Sequence, residues 1–344
     1  MSPTIYTIML SSLAAGTIIT MTSFHWLMAW IGLELNTLAI IPTISTLHHP
    51  RSTEAATKYF LTQAAASAMI LFSSMINAWN TGTWDITQMS YLPSNTLLTL
   101  ALALKLGLAP AHLWLPEVLQ GSTLFTAFII TTWQKLAPLS LIFLSVNNLP
   151  PMILLTLGLI SSLTGGWTGL NQTQTRKIMA YSSIAHMGWM VAIAPIAPNI
   201  MIMNLLIYLI MTTALFFSLI SSKSKTIQDT TTTTSLSPAL TITTMLTLLS
   251  LGGLPPLTGF MPKWLILEEL ITQNMFPLAL SMAMSALLSL FFYLRLTYTT
   301  TLTLAPNTPQ MKFKWRFKST APPALMAFST LAPLSITTTP LILL

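Results

Sequence analysis

Gly107-Leu-Ala-Pro-Ala-His-Leu-Trp-Leu-Pro-Glu117 interrupts one long apolar segment of this chain, and Gly253-Leu-Pro-Pro-Leu-Thr-Gly-Phe-Met-Pro-Lys263 interrupts another. The two stretches align without a gap, so that the first glycine, the following leucine and both prolines coincide. Interrupted helices in corresponding positions of two halves are typical of transport proteins built from inverted repeats. The alternative is a pair of ordinary proline kinks, which neighbouring helices tolerate in a membrane.

The composition excludes a water-soluble fold. The chain has 344 residues, of which 53% are hydrophobic and only 6% are charged, whereas soluble domains carry about 25% charged residues. Its excess of Lys and Arg, 14 against 7 Asp and Glu, lies in short loops between apolar runs and does not form a nucleic-acid patch. Because cysteine is absent, the chain supplies no thiolate to an iron–sulfur cluster or a structural zinc site.

A helix crosses the hydrocarbon core with roughly 20 apolar residues, and segments of about that length follow one another along the chain. The sequence therefore predicts an all-α, polytopic membrane protein of about eleven transmembrane helices in a single membrane domain. The predicted helices span 3–22, 24–46, 53–79, 96–121, 123–146, 150–170, 175–195, 199–221, 239–272, 276–301 and 322–343. The five-helix offset between the interruptions predicts two inverted halves, 3–146 and 150–301, followed by a C-terminal helix over 322–343. The Thr-rich stretch Thr230–Thr234 is interpreted as a polar loop.

Loop charges indicate the orientation of these helices. If every predicted helix crosses the membrane, all loops that carry Lys or Arg emerge on one side, and the opposite loops carry none. The basic loops and their edges hold Arg51, Lys58, Arg176, Lys177, Lys223, Lys225, Lys312, Lys314, Arg316 and Lys318. By the positive-inside rule the N-terminus lies on the inner side and the C-terminus on the outer side.

Several ionisable residues fall deep inside predicted helices. Glu34 and Lys135 lie near the centres of the second and fifth helices, and Lys105 and Lys263 flank the two interruptions. A charge at the bilayer centre costs about 2.5–3.5 kcal/mol on the mildest scale, so these side chains must face a paired or hydrated interior. Such a row could relay protons, with Glu34 and Lys105 as a pair. The alternative is that the charges are fixed ion pairs that only fasten helices together.

Two histidines and the remaining carboxylates complete the candidate set. His186 lies near the middle of the seventh predicted helix and His112 within the first interruption, and either imidazole could carry protons or serve as a packing residue. Glu117 is interpreted as solvated, and Arg295 as a residue that can snorkel to the inner surface. We find no phosphate-binding glycine loop, zinc motif or nucleophile triad.

The residues resemble a known family. Leu104-Lys-Leu-Gly-Leu-Ala-Pro-Ala-His-Leu-Trp-Leu-Pro-Glu117, Lys177-Ile-Met-Ala-Tyr-Ser-Ser-Ile-Ala-His-Met-Gly188 and Leu251-Gly-Gly-Leu-Pro-Pro-Leu-Thr-Gly-Phe-Met-Pro-Lys263 look like signature segments of the antiporter-like membrane-arm subunits of respiratory complex I, the NADH:ubiquinone oxidoreductase. Trp30-Ile-Gly-Leu-Glu-Leu-Asn36 resembles the animal mitochondrial members in particular. These members lack three N-terminal helices of the bacterial pattern, which implies a surface that other subunits cover.

The resemblance implies a subunit that moves protons from the matrix to the intermembrane space across the mitochondrial inner membrane. It places the proton relay on Glu34, Lys105, Lys135, Lys263, His186 and His112. No cofactor is expected in this chain, because flavin, iron–sulfur clusters, NADH and quinone would bind other subunits of the complex. Those subunits and membrane lipids are the expected partners. A free-standing cation/proton antiporter and a structural membrane scaffold stay open as alternatives.

Overall fold

The computed structural model of the chain describes residues 3–231, 233 and 237–301. In the first part of the chain the helices are α1 (Pro3–Thr22), α2 (Trp26–Ile44), α3 (Pro50–Thr81), α4 (Leu92–Leu106), α5 (Trp114–Gly121), α6 (Leu124–Thr131) and α7 (Trp133–Ser145). The later helices are α8 (Pro151–Gly169), α9 (Thr175–Ile193), α10 (Pro198–Ser222), α11 (Ile227–Thr231), α12 (Pro238–Gly252), α13 (Phe260–Thr272) and α14 (Phe276–Thr301). The predicted all-α class is confirmed, since within the described residues β-structure is limited to two isolated bridges.

The helices have the length and composition of membrane spans. Among the described residues, seven segments are long and apolar enough to cross a bilayer: α1, α2, α3, α8, α10, α14, and α6 and α7 taken together (Leu124–Ser145). The helices α4 and α12 are shorter and apolar. Both predicted interruptions are present, one between α4 and α5 and one between α12 and α13. The count of eleven spans stays a prediction, because the eleventh helix, 322–343, lies outside the described residues, as do Lys312, Lys314, Arg316 and Lys318.

Large apolar side chains cover much of the surface of the isolated chain. Trp79 is 91% exposed, Phe24 84% and Trp167 70%. Soluble monomers rarely expose so much apolar surface, and such surface marks contact with lipid or with partner proteins. The chain is therefore a multi-pass membrane protein.

The described residues form two compact units. Unit 1 comprises those within Met1–Thr164 and Ser183–Pro198, and unit 2 those within Gly165–Ser182 and Asn199–Leu344. In unit 1, glycines bring two helix pairs into close contact. A Cβ atom on Gly32 of α2 would lie 2.8 Å from the backbone oxygen of Gly16 on α1, and one on Gly158 of α8 would lie 2.8 Å from that of Gly188 on α9. Small residues at such crossings let backbones approach closely, which is how membrane helices gain packing energy.

The fifth predicted helix is not continuous, contrary to the prediction. It is divided at Thr132 into α6 and α7, so Lys135 lies near the start of α7, although it is still at the middle of the Leu124–Ser145 span. The hydroxyl of Thr132 donates to the backbone oxygen of Phe128 at 2.7 Å, and Pro138 lies inside α7. Threonine bonds of this kind bend a helix, and proline removes one rung of its hydrogen-bond ladder.

One further interpretation is corrected in unit 2. The Thr-rich stretch is not simply a polar loop, because Thr230 and Thr231 belong to α11 and Thr230 is buried. Arg295 contacts the end of another helix, and its snorkelling to the inner surface stays a prediction. Its Nη1 donates to the backbone oxygen of Leu170 at 2.8 Å, directly after α8, where a helix end leaves its last carbonyls without partners.

Asp229 holds the start of α11. Its Oδ2 accepts hydrogen bonds from the backbone N–H groups of Thr226, at 2.9 Å, and Lys225, at 3.0 Å. These bonds, that of Thr226 foremost, stabilise the ionised carboxylate and hold the pKa of Asp229 below its ordinary value of 3.8. A lowered folded-state pKa stabilises this turn above the ordinary value, and the contribution is lost as the pH falls through the folded-state pKa.

We therefore expect the amide protons of Lys225 and Thr226 to lose protection from hydrogen exchange only below about pH 3.8. The measurement is amide exchange followed by mass spectrometry in detergent or nanodiscs, corrected for the intrinsic pH dependence. In the Asp229→Asn variant the acid-dependent step should disappear. A step that persists in this variant would assign the effect to another group.

Candidate functional site

The first interruption exposes the carboxyl end of α4. Gly107 ends the helix with a φ of 73°, a left-handed conformation that glycine adopts without a steric penalty. The N–H of Gly107 then donates to Leu104 at 3.2 Å, and that of Leu108 donates to Ala103 at 2.9 Å. This is the pattern of a Schellman cap, which satisfies some of the last carbonyls but not all of them.

Two side chains also donate hydrogen bonds to carbonyls at this helix end. The indole Nε1 of Trp114 donates to the backbone oxygen of Leu104 at 3.1 Å. The ammonium of Lys135, which is 1% exposed, donates to the backbone oxygen of Leu106. The carboxyl end of a helix carries a partial negative charge, so it is a favourable partner for a buried cation.

The second interruption, in unit 2, has the same local geometry. Gly253 has a φ of 79°, its N–H donates to Ser250 at 2.9 Å, and the N–H of Leu254 donates to Leu249 at 3.3 Å. Lys263 Nζ donates to the backbone oxygen of Gly252 at 2.9 Å. In the alignment of the two stretches Gly252 corresponds to Leu106. A lysine therefore caps the equivalent carbonyl in each unit, although it comes from α7 in one and from α13 in the other.

The sequence-predicted pair of Glu34 and Lys105 is close but not in direct contact. The carboxylate interacts electrostatically with Lys105 and with Tyr59. Within the described part of the chain, however, Oε2 of Glu34 and Nζ of Lys105 are buried without a hydrogen-bond partner. Lys105 is only 5% exposed. The expectation of a fixed Glu34–Lys105 ion pair therefore does not describe this arrangement.

A small cavity in unit 1 is bordered by Lys105 and Lys135. The volume of this cavity is about 10 Å³. This is close to the smallest volume that holds one water molecule. Lys105 and Lys135 both line it, together with Leu33, Asn36, Thr37, Tyr59, Gln63, Trp114, Ile130, Gln134, Ala137 and Pro138. The structure thus brings Lys105 and Lys135 to one chamber. Lys263 belongs to unit 2.

Both predicted histidines are buried in unit 1. His112 lies between α4 and α5 and is 9% exposed, and its Nδ1 lies 3.3 Å from the backbone oxygen of Pro110. His186 is 8% exposed and lies in α9, two residues before the close contact at Gly188. Neither histidine lines the chamber of Lys105 and Lys135.

Sequence reasoning missed the amides of this site. Asn36, Gln63 and Gln134 line the chamber, and each has a buried polar atom without a hydrogen-bond partner. The sequence feature that could have identified them is a polar side chain within an apolar span. Asn36 lies two residues after Glu34, and Gln134 lies directly before Lys135. It also missed the contact of Glu117 with Lys58, at 2.6 Å, although the carboxylate is 52% exposed as expected.

The described residues hold no group of three or more His, Asp or Glu that could bind a metal ion. The site therefore consists of lysines, amides, a carboxylate and backbone carbonyls. Lysine can give up and take up a proton, whereas amides and carbonyls only form hydrogen bonds. In chemical terms this set can bind and pass protons.

The sequence matches known proteins along its whole length. Residues 23–289 match the family model of the NADH:quinone oxidoreductase/Mrp antiporter transmembrane region, and residues 290–344 match that of the NADH dehydrogenase subunit 2 C-terminus. NADH-ubiquinone oxidoreductase chain 2 of Carassius auratus is 55% identical over 98% of this chain and 97% of its own. That of Polypterus ornatipinnis is 57% identical over 93% of this chain and 92% of its own. This chain belongs to the NADH-ubiquinone oxidoreductase chain 2 family.

Solved structures share the fold of this chain. A chain of respiratory complex I from Thermus thermophilus, solved with bound aureothin, superposes with a TM-score of 0.86 at 25% identity, covering 98% of this chain and 79% of that one. A chain of the Mrp complex from Dietzia sp. superposes with a TM-score of 0.84 at 16% identity, covering 97% and 75%. The latter likeness establishes the fold alone.

Proposed function

We propose that this chain is a proton-translocating membrane-arm subunit of respiratory NADH:ubiquinone oxidoreductase, with a relay formed by Glu34, Lys105, Lys135, Lys263, His186 and His112. The observation that carries the proposal is the chamber in unit 1, into which two buried lysines project. NADH oxidation and quinone reduction take place on other subunits, which hold the flavin and the iron–sulfur clusters. The membrane is the mitochondrial inner membrane, with the N-terminus in the matrix and the C-terminus facing the intermembrane space.

The charges of the chamber support a relay more than a fixed structural network. Burying an ammonium in a membrane interior is costly, and a structural role would offset the cost with a tight partner. Among the residues that the structure describes, Lys105 lacks such a partner, and Glu34 lies near it without forming an ion pair. A loosely held buried lysine changes protonation readily when a neighbouring charge changes. Those are the properties that a stepwise proton path needs.

The matched interruptions support the proposed inverted halves, 3–146 and 150–301, within one membrane domain. Gly107 and Gly253 have the same left-handed conformation, and a lysine caps the equivalent carbonyl in each stretch. Discontinuous helices of inverted repeats place their broken ends at the transport path. Under this proposal, Lys135 and Lys263 serve corresponding steps in the two halves.

A second role is favoured by one observation. Lys135 and Lys263 each donate to a helix-terminal carbonyl, which is what a structural cap does. In this scaffold hypothesis the two lysines hold the interrupted helices together and move no protons. The hypothesis leaves the unpaired Lys105 without a function.

This chain shares its fold with a chain of the Mrp complex. The other alternative to a complex I subunit is therefore a free-standing cation/proton antiporter. Sodium-dependent proton flux by the purified chain in vesicles would favour it. Proton movement that depends entirely on NADH oxidation by an assembled complex would exclude it.

The relay is tested at Lys263, by counting protons pumped per NADH oxidised in sealed vesicles that carry the assembled complex. Lys263→Met should reduce pumping by at least about tenfold, because it removes an acid–base group of the proposed relay. Lys263→Arg keeps a cation for the carbonyl of Gly252 but cannot release its proton. We therefore expect Lys263→Arg to assemble and still pump poorly.

Lys177→Met serves as the matched control, because Lys177 lies at the start of α9 on a basic loop and outside the proposed relay. It should pump normally. Restored pumping in Lys263→Arg would support the scaffold hypothesis instead, since any fixed cation would then suffice.

A further inference from the structure

Four side chains around the chamber of unit 1 share one feature. Each carries a buried polar atom that has no hydrogen-bond partner among the described residues: Nδ2 and Oδ1 of Asn36, Nε2 of Gln63, Nζ of Lys105 and Nε2 of Gln134. Asn36 is 1% exposed and Gln63 4%. These groups come from four helices, α2, α3, α4 and α7. Their proximity is therefore a property of the tertiary structure.

Such a concentration of unsatisfied polar groups calls for water. Buried amides and ammonium groups in native proteins are almost always hydrogen-bonded, either to protein atoms or to ordered water. A buried water molecule needs two to four polar partners and a cavity volume of at least about 10 Å³. The chamber meets both conditions, because four polar side chains line it and it leaves about 10 Å³ for a water centre.

The amides suit the task of holding water on a proton path. Asparagine and glutamine offer both donors and acceptors, and they do not titrate. They can therefore orient a water molecule without trapping the proton that it carries. A carboxylate or an imidazole in the same place would become a further protonation site.

Gly16 makes room for one of these amides. A Cβ atom on Gly16 would lie 2.5 Å from Oδ1 of Asn36, far inside the contact distance of the two atoms. The close approach of α1 to α2 thus fixes Asn36 at the chamber. Tyr59 and Trp114 also line the chamber, and their rings are in edge contact at 5.8 Å.

We propose that Asn36, Gln63 and Gln134 are water-positioning residues, which hold an ordered water molecule between Lys105 and Lys135. This inference rests on the proposed function. In the transfer, the ammonium of Lys105 gives a proton to the water oxygen while the water gives one of its own protons to the neutral amine of Lys135. The water is left unchanged, and the charge has moved from one lysine to the other.

The test uses the assembled complex with Gln63→Met, Gln134→Met and the double variant. Methionine has a similar length and lacks the amide. A map at a resolution that shows ordered water elsewhere should contain water density within hydrogen-bond distance of Gln63, Gln134 and Lys105. Each single variant should lower coupled turnover by about fivefold, the effect of one lost hydrogen bond. The solvent deuterium isotope effect should rise, and KM for NADH should not change.

Gln88→Met is the matched control, because Gln88 is exposed in the loop before α4. It should leave turnover, isotope effect and assembly at native values. An empty chamber in the native map would overturn the proposal, and so would native pumping in a double variant that has lost the water. If density is present but Lys135→Met pumps normally, the water site stands and the proposed function fails.

Discussion

Replacing Lys135 with methionine should reduce coupled NADH oxidation and proton pumping together by about 100-fold or more, the range expected when an acid–base group is removed. Lys135 is 1% exposed and shares the chamber of unit 1 with Lys105. Without its amine, a proton on Lys105 has no acceptor in the chamber. The measurement is the rate of NADH oxidation and the rate of proton pumping in sealed vesicles, with assembly verified by native gel electrophoresis.

The complex should still assemble in Lys135→Met. The variant leaves the carbonyl of Leu106 without its partner, which costs about 1–3 kcal/mol, but it also removes the cost of burying an ammonium. Lys58→Met is a suitable control in the same unit, because Lys58 lies on α3 with 40% of its side chain exposed and pairs with the exposed carboxylates of Glu54 and Glu117. If Lys135→Met pumps like the control, Lys135 is a structural cap.

Replacing Gly259 with alanine should abolish accumulation of the assembled complex. A Cβ atom on Gly259 would overlap the backbone oxygen of Ser250, and it would lie 3.2 Å from Cε of Met211. The first of these is a backbone atom of α12, next to its Gly253 cap, so no side-chain rotation relieves the overlap. The turn between α12 and α13 would have to open, and the contact of Lys263 with Gly252 would be lost with it.

Gly252→Ala is the matched control within the same interruption. Its Cβ atom would meet nothing closer than 3.8 Å, on Tyr293, which is ordinary van der Waals contact. Alanine also has a higher helix propensity than glycine by about 1 kcal/mol. Native gels and in-gel NADH oxidation should therefore find normal assembly for Gly252→Ala and none for Gly259→Ala. Equal assembly of both variants would contradict the packing at Ser250.

Much of the architecture was predictable because it depends on local chemistry. The interruptions follow from glycine and proline, whose backbone restrictions act wherever they occur. The membrane class follows from a composition that cannot form a water-facing surface. The order of residues also shows that Lys105 precedes the first interruption, in α4, and that Lys263 follows the second, in α13.

The division of the fifth span at Thr132 was not predictable in the same way. Threonine occurs throughout these helices, and most of its hydroxyls bond to a backbone carbonyl of the preceding turn without ending the helix. Only at Thr132, with Pro138 six residues later, is the span divided. The partner of Arg295 was not predictable either, because Leu170 is distant in sequence. Every residue type has a backbone carbonyl, so the residue type of Leu170 gives no indication of this contact.

The sequence by itself determined that this chain spans a membrane, where two of its helices break and which lysines lie in the apolar spans. These features depend on side-chain solvation and on the backbone limits of glycine and proline, which neighbouring residues already define. Only the tertiary structure decided that Lys135 reaches the end of α4, that Glu34 and Lys105 are near but unpaired, and that three amides surround one chamber. Those facts depend on distances between side chains far apart in sequence, and helix packing alone sets such distances.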